Sequence, residues 1–71
     1  MEPQTLTPEQ GIQLLKDGNS LIAHLSHDFS TLNFSNEEYT WKGIYDKGPT
    51  YLEQSHVEYL ITNNQWHINL P

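Results

Sequence analysis

The chain has 71 residues, nine acids against three lysines and no arginine, for a formal net charge of −6 at pH 7. Apolar residues make up 35% of it and aromatics 11%, which is lean for a folded domain yet unlike a disordered polyelectrolyte. These values exclude a second domain, disulfide or thiolate chemistry (cysteine is absent), and the Lys/Arg clusters that bind nucleic acid or an anionic membrane.

In chain order, residues 1–6 read as a flexible N-terminus and 7–18 as a helical segment. Thr7 is placed to cap a helix, Pro8 suits its first position, and Gln10 completes a capping box. Ile12, Leu14 and Leu15 form a narrow apolar stripe, Lys16 suits the negative end, and Gly18 supplies the left-handed residue that closes the helix. The helix is expected over about 8–17.

Beyond Gly18 the period changes from 3.6 to 2. Ser20 to Ser26 alternates apolar and polar, as a half-buried strand does, and Phe29 to Phe34 is a weaker strand. After the polar loop Ser35-Asn36-Glu37-Glu38, residues Tyr39 to Asp46 form another two-faced strand, with Tyr39, Trp41, Gly43 and Tyr45 on the inward side. Asp46-Lys47-Gly48-Pro49 is turn chemistry. Thr50 to Glu53 fits either a short helix over about 51–56 or a further strand.

The C-terminal third reads as a β-hairpin. Val57 to Thr62 and Gln65 to Leu70 flank Asn63-Asn64, which suits a primed two-residue turn. That register sets Ile61 against Trp66, Tyr59 against Ile68 and Val57 against Leu70 on one face, and leaves Leu60 and His67 on the other. The expected fold is thus a single α+β domain over 1–71. One N-terminal helix packs on an antiparallel meander of about four to five strands, β-rich from 20 to 70 and ending in that hairpin.

No motif carries catalytic chemistry. His24-Leu25-Ser26-His27-Asp28 superficially resembles the His-Asp dyad of metal phosphohydrolases, but His24 and His27 project to opposite faces of a strand and make no converging ligand set. No serine sits in a glycine-rich elbow, Glu37 and Glu38 are adjacent in a solvated loop, and the four glycines are isolated. No enzyme activity, catalytic residue, metal or cofactor is expected.

Three binding modes are compatible with the sequence. Apolar residues on the polar faces of strands, Ile22, Ile44 and Leu60 beside His67, make a second patch that a protein partner or a second copy would cover. The acids, Glu37 and Glu38 foremost, suit an inhibitor that offers carboxylates where a nucleic-acid-processing or defence enzyme expects phosphates. Tyr39, Trp41, Tyr45 and Tyr51 make an aromatic row that either stacks a small ligand or fills the core, and core filling is favoured because aliphatics are few. The expected function is a small acidic protein-binding module, with the inhibitor as the alternative and the small-ligand binder third.

No uninterrupted apolar stretch exceeds three residues, as at Leu21-Ile22-Ala23, and the start Met1-Glu2-Pro3-Gln4-Thr5 is acidic where a signal peptide is basic. A cytoplasmic protein is expected, without direct contact to membrane or nucleic acid. Size and composition resemble those of short bacterial and phage open reading frames.

Overall fold

A computed structural model describes residues 3–24 and 29–69, with the side chain of His24 left out. The elements are β1 (Gln4–Thr5), α1 (Pro8–Lys16), β2 (Ser20–His24), β3 (Phe29–Ser35), β4 (Glu38–Gly43), β5 (Thr50–Leu52), α2 (Gln54–Asn63) and β6 (Gln65–Asn69). The six strands form one sheet in the order β1-β6-β2-β3-β4-β5, with every neighbouring pair antiparallel. The fold is α+β, and its first helix follows a very short strand.

Helix α1 forms where the local signals place it. The Thr7 amide donates to Gln10 Oε1 at 3.0 Å and the Gln10 amide donates to Thr7 Oγ1 at 3.2 Å, a reciprocal box that satisfies two otherwise orphaned donors. At the other end Gly18 takes φ +96°, and the Gly18 and Asn19 amides donate back to the Leu15 and Leu14 carbonyls. Upstream, the stretch expected to be flexible carries β1, which pairs Gln4 with Trp66 and Thr5 with Gln65, and Leu6 is buried.

Strands β2, β3 and β4 follow the alternation of their sequences. Leu21, Ala23, Ser30, Leu32 and Tyr39 are buried on one face, and Trp41 packs against the same cluster. Positions 25 and 26 of the expected first strand lie outside the described residues. Between β3 and β4 the chain reverses through Asn36 (φ 53°) and Glu37 (φ 63°). These paired positive φ values are those of the primed turn that suits a twisted two-residue hairpin. β4 ends at Gly43 rather than running to Asp46, because the Asp46 carboxylate accepts from the Gly43 amide at 2.7 Å and the Asp46 amide donates back to the Gly43 carbonyl.

Residues 57–62, expected as a strand, are helical. They lie in helix α2, and the stretch 50–56 holds both options in succession, strand β5 and then the first residues of α2. Val57, Leu60 and Ile61, spaced i, i+3, i+4, turn to the core, while Tyr59, which a strand would align with Val57 and Ile61, is exposed. Asn63 and Asn64 make no primed turn. Their side-chain amides donate to the Tyr59 and Leu60 carbonyls at 2.7 and 3.0 Å, satisfying the last turn of the helix, and Asn64 keeps φ −136°. The C-terminal strand does form, but β6 enters the sheet between β1 and β2, where Trp66 pairs with Gln4 and Ala23.

Both helices pack on one face of the sheet. Leu15 from α1 and Val57 and Ile61 from α2 meet Leu21, Leu32 and Trp66 in a core where each is essentially inaccessible. The Trp66 indole N–H donates to the Ile61 carbonyl at 3.1 Å, and its ring meets that of Trp41 edge-on at 5.8 Å. None of the described helices is long and apolar enough to cross a membrane.

Candidate functional site

Because α1 and α2 share one face, no described helix covers the other face of the sheet. Strand alternation decides what it carries. Leu21 and Ala23 point to the core, so Ser20 and Ile22 point away, and Thr31, Asn33, Thr40 and Lys42 follow by the same parity. The register aligns His67, Ile22, Thr31 and Lys42 as one row running across β6, β2, β3 and β4. Ile22 therefore sits near the middle of the sheet, half-buried by its cross-strand neighbours. A second row joins Asn33, Thr40 and Tyr51, and the Ser20 hydroxyl donates to the Asn33 carbonyl oxygen on the same face.

Apolar surface is spread over this face. Phe29 is 45% exposed and Tyr51 65%. Ile44 is 46% exposed just past the Ser30–Gly43 pair, at the same end of the sheet as Phe29. Of the described ionised groups only Lys42 and Glu38 belong to these strand positions, and they carry opposite charges. Glu9, Asp17, Glu53 and Glu58 belong to the helices and their ends, and Glu37 and Asp46 to turns.

The expected patch is thus partly assembled. Ile22 and His67 are direct cross-strand partners, and Ile44 lies at one end. Leu60 is not part of it, because residue 60 is helical and its side chain packs against the core on the opposite side of the sheet. Phe29 was not anticipated, although its parity with Thr31 and against Leu32 is the signal that assigns it to the open face.

The aromatic row is taken apart. Tyr39 is buried with its ring 4.7 Å from that of Phe34, Trp41 is half-buried against Trp66, Tyr45 stands in the turn beyond β4 at 79% exposure, and Tyr51 faces the open side. Core filling accounts for Tyr39 and Trp41. Burial, and secondarily the Glu58 carboxylate, raises the Tyr39 hydroxyl above the usual tyrosine range.

Glu37 and Glu38 do meet other groups. With Glu53, Tyr39, Tyr51 and Leu52 they border an open groove of about 460 Å³ along the β5 edge. A wider groove of about 610 Å³ lies between β1, α1 and β6, floored by Leu6, Leu14 and Ile68. His56 lies on α2 with its ring 6.5 Å from Tyr59, while His67 is on the open sheet face, and His27 falls outside the described residues. Among the described residues no group of three His, Cys, Asp or Glu side chains is close enough to hold a metal ion.

Comparison with protein-family models, with curated proteins and with solved structures gives no match.

Proposed function

We propose that the chain is a non-enzymatic binding module that recognises another protein chain through the uncovered face of its sheet. The observation that carries this is the position of Ile22, a β-branched aliphatic near the centre of a face that no described helix covers, with Phe29, Ile44 and Tyr51 exposed around it. Antiparallel sheets often leave one face to water, and then that face is polar. Here neutral hydrogen-bonding residues surround apolar ones, the composition of a surface that closes over another protein.

A photo-reactive residue at Thr31, beside Ile22, tests this in cells. The expected result is a discrete cross-linked protein adduct that Ile22→Glu abolishes, with no such adduct from the same group at Gln13 on α1. Adducts at Gln13 but not at Thr31 would move the binding surface to the helices and refute the proposal.

The groove bordered by Glu37, Glu38 and Glu53 favours a second function, inhibition of an enzyme whose site is basic. Binding of that kind weakens steeply with salt and is lost on reversing Glu37 and Glu38 to lysine, whereas binding through the open face tolerates both.

A further inference from the structure

We infer that the chain covering the open face is a second copy of this one, sheet stacked on sheet; this rests on the face being a protein-binding surface. Charge singles out that occupant. Each chain carries −6, so most surfaces of two copies repel. The open face is the exception, because its described ionised groups, Lys42 and Glu38, cancel, while the helices, their ends and the turns hold Glu9, Asp17, Glu37, Asp46, Glu53 and Glu58 against only Lys16 and Lys47. A basic partner would be drawn to those carboxylates and away from this face. A second copy is excluded from them and meets no net repulsion here.

The polar groups fit the same occupant. Thr31, Asn33, Thr40, Gln65 and Asn69 each carry both a donor and an acceptor, so the face can hydrogen-bond to its own duplicate across a two-fold axis. Size agrees as well. Six strands at ~4.8 Å spacing, five to seven residues long at the centre, give a face of roughly 400–500 Å² in projection. Side-chain relief brings that towards the ~600–800 Å² per partner found at the lower end of stable interfaces.

Sedimentation velocity of the whole chain from low to high micromolar concentration tests the inference. The expected mass rises with concentration from 8.3 kDa towards twice that value. The rise persists in high salt, and Ile22→Glu removes it while the far- and near-ultraviolet dichroism stays native. Should that variant fail to fold, amide shifts of the wild-type chain followed with concentration decide, being expected at Ile22, Thr31, Lys42 and His67. Shifts confined to α1 and α2, or a dimer that Ile22→Glu leaves intact, would place the contact elsewhere and overturn the inference. A mass fixed at 8.3 kDa, with Thr31 cross-linking a different protein, would overturn the second copy and spare the binding-face proposal. A fixed mass with no adduct at Thr31 would overturn both.

Discussion

Gly11 of α1 lies directly against the side chain of Ile61 of α2. A methyl group built on Gly11 would lie 2.5 Å from Cδ1 and 2.8 Å from Cγ2 of Ile61, well inside van der Waals contact. Ile61 is wholly buried and branched at Cβ, so its χ1 is restricted and Cγ2 stays in the way even if the Cδ1 end turns aside. The missing side chain at position 11 is therefore what lets α2 lie against α1.

Gly11→Ala should accordingly lower stability by up to about 2 kcal/mol, as overpacking of about 1–3 kcal/mol is offset by the gain of about 1 kcal/mol in helix propensity. Ile61→Val removes the Cδ1 atom that makes the closest approach. In that background Gly11→Ala should cost less by at least about 0.5 kcal/mol, a coupling that urea unfolding of the four proteins measures directly. Strict additivity would mean that the helices adjust elsewhere.

The same contact explains why α1 was legible in the sequence and α2 was not. Thr7, Pro8, Gln10 and Gly18 act within one turn of themselves, and their side chains and backbone angles appear where local rules place them. Val57, Tyr59 and Ile61 satisfy a strand's period of two as well as Val57, Leu60 and Ile61 satisfy a helix's spacing. Contacts outside the segment decide between them, namely the space above Gly11 and the Trp66 indole on the Ile61 carbonyl. The asparagines at 63 and 64 were equally ambiguous, since the side chain that favours a turn also serves the carbonyls at a helix end. Of the candidate face, Ile22 was visible as an exception to a strand's alternation and His67 as a regular member of a polar face. Leu60 was misplaced with the helix it belongs to.

The turn after β3 provides the second prediction. Glu37 adopts φ 63°, in the left-handed region that costs a residue bearing Cβ about 1–2 kcal/mol. Glu37→Gly should raise stability by about 0.5–1 kcal/mol once the extra freedom of glycine in the unfolded chain is subtracted. Glu37→Gln keeps the strained backbone and removes only the charge, so its thermal midpoint should stay close to wild type. Equal gains from both variants would trace the effect to charge repulsion with Glu38 instead.

Tyr39 gives the third. Its hydroxyl is buried and has no hydrogen-bond partner among the described residues, and burial first, then the Glu58 carboxylate, raises its pKa. The folded state thus favours the neutral phenol. Below the ordinary value of 10.0 both states keep the proton and pH has no effect through this group. Above it the unfolded chain releases the proton first, so stability falls as pH rises through the gap between the two values. Tyr39→Phe removes an unsatisfied donor and the titration together. At neutral pH the variant should be more stable by about 1 kcal/mol, because the buried hydroxyl no longer forfeits its bond to water. In urea unfolding its advantage should then widen as pH is raised from neutral to above 10.0, since only the wild-type phenol loses stability through that gap. An advantage that stays constant across that range would mean that the phenol titrates alike in the folded and unfolded chains.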